Sequence, residues 1–290
     1  MRHSNEKYEL AIKTFKDGHT LKSVSELYDI PLETLRCHFY RHNIIEKYRV
    51  NHSVFKVIDS EAKAYWLGYI FGDGSISNQN RLTLSSKDLD HLEKFRQFLG
   101  SNHKIGNDSI SLTSRKIVSD LISHGVEVRK QFSDSIKFPN IAPELKRHFI
   151  RGLIDSDGWV GKSKNIGVCG KSKILLDGIN NEIVSAIGVI GVICHRTNHW
   201  GSVYTLDFKT SNFKELYSHL YLDSTIFLNR KKAIADKLYQ NLKEPKYIWV
   251  KKHRKKEYFV FQKGGFRKQF NTLSEAENFR DDYLLGVGNS

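Results

Sequence analysis

Cysteine is scarce in this chain of 290 residues: Cys37, Cys169 and Cys194 are all there are, an odd and scattered set. That excludes a disulfide framework and points to reduced thiols in a cytoplasmic compartment. Cys194 and His195 stand side by side, but no second Cys or His pair lies at ligand spacing, so no structural zinc site is expected. Long apolar runs are also missing. None approaches the roughly 20 residues that span a bilayer, and Met1-Arg2-His3-Ser4 is not followed by a signal-peptide core. Acidic residues are in deficit, with 46 Lys and Arg against 32 Asp and Glu and a net charge of +14. Such an excess favours a polyanionic partner, nucleic acid first.

What the chain does have is a nine-residue pattern that occurs twice. One copy is Trp66-Leu67-Gly68-Tyr69-Ile70-Phe71-Gly72-Asp73-Gly74 and the other Ile150-Arg151-Gly152-Leu153-Ile154-Asp155-Ser156-Asp157-Gly158. Gly68 and Gly72 lie one helical turn apart on one face, as do Gly152 and Ser156. Glycine inside a helix costs roughly 1 kcal/mol relative to alanine, so its use at matching points implies packing closer than ordinary side chains allow. Gly74 and Gly158 are expected to end the helices in the left-handed conformation. Asp73 and Asp157 then fall at the ends of two adjacent helices, each near a negative dipole end and near the other acid. A cation between them relieves that repulsion, and Mg²⁺ favours hard oxygen ligands with positions left for water and phosphate.

The pattern opens each half of a longer repeat from Val54 to Leu242: helix, strand, strand, helix, strand, strand, helix. Arg81–Lys87, Ser109–Thr113, Asn165–Lys171 and Val203–Lys209 read as strands, the clearest of them alternating apolar and polar residues. Leu89, Leu92 and Phe95, then Ile117 and Leu121, then Ile174–Val189, then Phe213, Leu216 and Leu220 mark helices. By strand phase, Arg81, Thr83, Ser85, Ser111, Thr113 and Thr205 share the polar strand face, the one open to a nucleic-acid partner. Lys209 shares the polar phase of Thr205 and is a candidate helper at the scissile phosphate; Lys87 and Lys171 compete with it, and contact to backbone phosphate is the plain alternative for all three. The stretch 137–143, with Pro139 and Pro143, reads as an extended connector.

The two motifs, with Ala64-Tyr65 before the first and Arg147-His148-Phe149 before the second, resemble those of the LAGLIDADG homing endonucleases in their single-chain form. The resemblance implies an α+β fold in which two pseudo-symmetric αββαββα halves (residues 54–136 and 137–243) form a DNA-binding saddle. It implies a monomer that cleaves both strands of a long, partly asymmetric double-stranded target, one strand per acid. Two or three Mg²⁺ ions shared between the halves would be held at Asp73 and Asp157, with Gly72 and Ser156 beside them. Phe71 replaces the motif's first acid in one copy and Asp155 keeps it in the other; the resemblance assigns the metal to the last acid, which both copies retain.

Residues 1–53 read as short helices around a tight turn at Asp29-Ile30-Pro31, with Thr20 as a cap. A helix carrying Leu32, Leu35 and Phe39 inward shows Arg36, His38, Tyr40 and Arg41 outward, the layout of a helix-turn-helix DNA reader. In residues 244–290, three strands and a helix from Thr272 to Leu284 are expected, with Lys263-Gly264-Gly265 as a hairpin turn. Tyr258-Phe259-Val260-Phe261 and Phe266-Arg267-Lys268 resemble, more loosely, AP2-type DNA-binding modules; Lys251, Lys252, Arg254, Lys263, Arg267 and Lys268 are the candidate contacts. The ends, Met1 and Gly288-Asn289-Ser290, lack splice-junction residues, so a freestanding or intron-encoded phage or bacterial enzyme is expected rather than an intein. A non-cleaving DNA-binding regulator and an RNA maturase are the alternative functions for such a fold.

Overall fold

The computed structural model describes residues 5–45, 48–128, 134–198, 201–243, 247–253, 256–263 and 265–285. They divide into two compact units: Met1–Asn51 with Leu99–Lys104, and His52–Phe98 with Ile105–Ser290.

The first unit holds α1 (Asn5–Lys16), α2 (Leu21–Leu27) and α3 (Leu32–Arg41). Thr20 caps α2 as expected, its hydroxyl accepting from the Ser23 amide at 3.1 Å. Asp29 takes a φ of 45° in the turn before Pro31 and α3. Ala11, Val24, Ile30, Leu35 and Phe39 form the core. His38, expected on the outer face of α3, instead stacks on Tyr8 of α1, ring centroids 3.7 Å apart. Arg36 pairs with Glu33 on its own helix, and Arg41 is exposed.

The second unit runs α4 (Glu61–Asp73), β1 (Gly74–Ser77), β2 (Arg81–Ser85), α5 (Leu89–Phe98), β3 (Ser109–Thr113), α6 (Arg115–Ser123), then α7 (Pro143–Asp157), β4 (Gly158–Val160), β5 (Ile166–Gly170), α8 (Lys173–Ile187), β6 (Val192–Asn198), β7 (Gly201–Phe208), α9 (Phe213–Leu220) and α10 (Asn229–Lys243). It is a mixed α+β architecture with small antiparallel sheets ordered β1-β2-β3 and β4-β5-β7-β6. Leu82, Leu84, Ile110 and Leu112 point into the core, while Arg81, Ser85, Ser111 and Thr113 are exposed, the alternation that a half-buried strand requires. Pro143 is the first residue of α7, where its missing N–H costs nothing.

The first half departs from the expected strand count. Ahead of β3 only a single bridge forms, Ile105 to Ile110. The residues before it are engaged within the first unit: the Asn51 amide donates to Leu99 O at 2.8 Å and the Arg49 amide to Asn102 Oδ1 at 2.7 Å. Helix α10 was not foreseen, because its run Asn229-Arg230-Lys231-Lys232 reads as solvated charge.

The chain ends in a sheet ordered β10-β9-β8, formed by β8 (Ile248–His253), β9 (Lys256–Lys263) and β10 (Phe266–Phe270), followed by α11 (Leu273–Leu285). Phe261, Phe266 and Phe270 pack on Phe279 of that helix at centroid distances of 5.5, 5.8 and 5.2 Å.

Candidate active site

Helices α4 and α7 lie parallel and meet main chain to main chain. A Cβ on Gly68 would overlap the Phe149 carbonyl oxygen and sit 3.1 Å from the Leu153 amide nitrogen. A Cβ on Gly152 would overlap the Tyr65 carbonyl oxygen and sit 2.9 Å from the Tyr69 amide nitrogen. The contact is reciprocal and accounts for both glycines. One turn on, a Cβ at Gly72 would overlap the Ser156 hydroxyl and come 3.1 Å from Cγ of Asp157. Asp73 and Asp157 are the last residues of these helices.

Gly74 and Gly158 are not left-handed. Their backbones are extended, with φ of −81° and −108°. Glycine is needed there for space: a Cβ would lie 2.6 Å from the Ile70 carbonyl oxygen in one case and 2.7 Å from that of Ile154 in the other.

A buried cation at the end of α7 was missed in the sequence. Lys231, on the first turn of α10, is 4% exposed. Its ammonium donates to the carbonyls of Ile154 (2.6 Å), Asp155 (2.7 Å) and Gly158 (2.6 Å). These carbonyls cluster where α7 ends, Ile154 O also accepting from the Gly158 amide, and a cation there opposes the negative dipole end. Burial pulls the Lys231 pKa down to about 8, against the charges of Asp155, Asp73 and Asp157, which hold the proton on. Burial, and behind it the charge of Asp73, raises the Tyr69 hydroxyl well above its ordinary value.

Asp155 is wholly buried. Its Oδ1 accepts from Tyr221 Oη at 2.8 Å, and its Oδ2 accepts from Tyr65 Oη at 2.9 Å and from the Leu228 amide at 2.8 Å. Burial raises its pKa, opposed by these donors and by Lys231. Arg151 is equally buried, its guanidinium donating to Glu61 (2.6 Å), Leu220 O (2.9 Å) and Ile226 O (3.0 Å). Glu61 in turn accepts from the Thr225 amide at 2.8 Å. The loop between α9 and α10 is thus tied to both motif helices.

His91 extends this network, its Nε2 3.1 Å from Tyr65 Oη. Because that hydroxyl donates to Asp155, His91 must donate to it. Its Nδ1 has no partner among the described residues, and burial drives the pKa from 6.5 to about 3. Between those values the unfolded chain takes up a proton that the folded chain refuses, so stability falls as pH drops below about 6.5. From pH 6.5 to 5 the expected loss is about 2 kcal/mol, read as a lower urea midpoint; His91→Gln should flatten that part of the profile.

The other sequence candidates are distributed as follows. Lys87 and Lys171 are exposed, and Lys171 lines a cavity with Asp157, Cys169, Gly72 and Phe71. The Cys169 thiol donates to the Asp157 carbonyl at 3.1 Å. Thr83 Oγ1 lies 2.7 Å from Ser111 Oγ on the polar sheet face. Thr205 has the expected phase but is buried, since β7 is an inner strand and Thr205 pairs with Cys169 on one side and Cys194 on the other. Lys209 is exposed just past the end of β7. It stands four residues beyond Thr205, about 13 Å along the strand at 3.3 Å per residue.

In the terminal sheet, pairing decides which face each residue takes, because directly paired residues share a face. Phe261 pairs with Lys268 and Phe266 with Lys263. Lys268, Lys263 and, by alternation, Lys252 therefore lie on the side of α11. Lys268 Nζ sits 4.3 Å over the Phe279 ring, and Lys252 pairs with Glu257 at 2.8 Å; such lysine stems cover apolar rings. Lys251 and Arg267 take the open face, with Arg267 4.9 Å over the Trp249 ring. Arg254 lies outside the described residues.

The donor set at the helix ends is sparse and made of oxygen. The Ser156 hydroxyl turns back along α7, donating to Leu153 O at 3.0 Å and Gly152 O at 3.2 Å. No group of three or more His, Cys, Asp or Glu occurs among the described residues. Two carboxylates without further protein ligands fit Mg²⁺, which is held through one or two carboxylates and keeps places for water and substrate phosphate.

No family model matches the chain, and no curated protein matches it. Among solved structures, it is similar to the homing endonuclease I-DmoI in complex with DNA and Ca: 22% identity, 66% of this chain and 99% of that one, TM-score 0.42. The homing endonuclease I-WcaI bound to its DNA recognition sequence is similar at 12% identity, over 69% of this chain and 92% of that one, TM-score 0.43. Full-length DUF199/WhiA from Thermatoga maritima is similar at 11% identity, over 81% and 71% of the two chains, TM-score 0.42. No helix among the described residues is long and apolar enough to cross a membrane.

Proposed function

We propose that this chain is a site-specific endonuclease that hydrolyses both strands of double-stranded DNA at a long, partly asymmetric target, acting as a monomer of LAGLIDADG type with two pseudo-symmetric halves. The observation that carries the reading is that Asp73 and Asp157 are the last residues of two helices in main-chain contact, in a chain of net charge +14. Asp73 and Asp157 would hold the divalent ions, two or three shared between the halves, with Gly72 and Ser156 alongside. When bound there, Mg²⁺ supplies Lewis-acid activation of water and stabilisation of the leaving oxygen. Lys231 takes the part expected of Lys209: a fixed positive charge beside Asp157, available to the charge that develops on the phosphate. Arg81, Ser85, Ser111 and Thr113 supply the exposed polar face for the groove, and Lys87 and Lys171 contact phosphate. The residue 1–53 and 244–290 segments act as accessory DNA readers through Arg36 and Arg41, and through Lys251 and Arg267, adding affinity by tethering.

The deciding experiment is incubation of the full-length chain with plasmids carrying the host genomic region around its reading frame, in Mg²⁺ and in Ca²⁺. Linear product in Mg²⁺ is the expected result. Binding without cutting in Mg²⁺ would favour a DNA-binding regulator, and preference for intron RNA a maturase. Binding should also weaken steeply with salt, since each phosphate neutralised contributes about −0.9 to the log–log slope; a flat response would argue against DNA altogether.

A further inference from the structure

The two copies of the motif differ at several buried positions, and one of these differences, Phe71 against Asp155, reaches the active site. In the second copy Asp155 grips α10 at two points. Its carboxylate accepts from the Leu228 amide at 2.8 Å, and its main-chain carbonyl accepts from the Lys231 ammonium at 2.7 Å. Leu228 O in turn accepts from the Lys231 amide at 3.1 Å, closing the first turn of α10. Tyr65 and Tyr221 lock the carboxylate from α4 and from the end of α9. In the first copy the corresponding residue is Phe71, whose ring packs edge-on against Phe149 at 4.9 Å. A phenyl ring offers no carboxylate oxygen to an amide, so that half contains no equivalent clamp at this position.

We propose that Asp155 is a positioning residue that presets Lys231 beside Asp157, and that its influence is confined to the DNA strand cut on that side. The proposal rests on the reading of Asp73 and Asp157 as serving one strand each. The two strands then depend on different parts of the protein, although the helix contact that joins the halves is reciprocal.

The test uses the full-length chain, Mg²⁺ and a duplex carrying the cleaved site, labelled differently on its two strands, together with acetic anhydride labelling of Lys231 read by mass spectrometry. Asp155→Leu is expected to slow one strand by about 10- to 100-fold, the usual cost of removing a partner that orients an active-site group, and to leave the other strand at its wild-type rate. Lys231, protected in the wild type, becomes acetylated. Asp155→Asn keeps a carbonyl for the Leu228 amide and should restore both protection and most of the lost rate. Equal slowing of the two strands, or unchanged protection of Lys231 in Asp155→Leu, overturns the proposal. If Asp155→Leu does not fold, Lys231→Gln carries the same test and must slow one strand alone. A wild-type chain that cuts neither strand overturns the nuclease reading, while Lys231 labelling still decides whether Asp155 positions it.

Discussion

Asp73→Asn and Asp157→Asn should each abolish double-strand cleavage, with a loss of at least about 10²–10³-fold, the scale seen when one charge-stabilising group is removed from an active site. Asparagine keeps the shape of the side chain and removes the charge that a hard cation requires. Stability should move the other way. Each acid lies at the negative end of its helix, where neutralising it gains about 0.3–1 kcal/mol, and the lost attraction for the buried Lys231 ammonium offsets part of that gain. The signature is therefore an inactive protein that melts no lower than the wild type and still shifts target DNA in Ca²⁺. Plasmid linearisation, gel shift and thermal melting read the three parts separately. Wild-type cleavage by both variants would end the shared-metal model.

Gly68→Ala and Gly152→Ala are expected to destabilise the chain by about 3 kcal/mol or more, at or beyond the upper end of ordinary overpacking. The sign is diagnostic. In a helix without close neighbours the same change would stabilise by roughly 1 kcal/mol through propensity. Here the new methyl groups meet the carbonyl oxygens of Phe149 and Tyr65 and the main-chain nitrogens of Leu153 and Tyr69, which can retreat only if the helices part. Gly72→Ala should cost less, because the first atoms it meets belong to the Ser156 side chain. Urea unfolding of the three variants gives the order, and a stabilised Gly152→Ala would show that the helices do not touch as described.

Much of this arrangement was legible in local pattern. Small residues four apart, an acid at each helix end, and the alternation in Arg81–Ser85 and Ser109–Thr113 are periodic signals that survive without tertiary information. Lys231 was not legible, because nothing in Asn229-Arg230-Lys231-Lys232 distinguishes the buried ammonium from the two cations beside it; only the carbonyls at the end of α7 do so. Lys209 illustrates the converse. Its phase follows from the alternation in Val203–Lys209, but phase carries no distance along the strand. The lysines of the last sheet separated only once strand pairing was known, and Gly74 and Gly158 were needed for room rather than for a left-handed turn.

The main-chain contact between α4 and α7 has a further consequence. An interface built from carbonyl and amide groups makes its closest approach without side chains, so what it demands of the sequence at that point is room rather than a particular partner. The contact itself constrains the four small positions Gly68, Gly72, Gly152 and Ser156. The two motifs meet that demand while only four of their nine positions are identical, so the room they provide, more than the residues around it, is what they have in common.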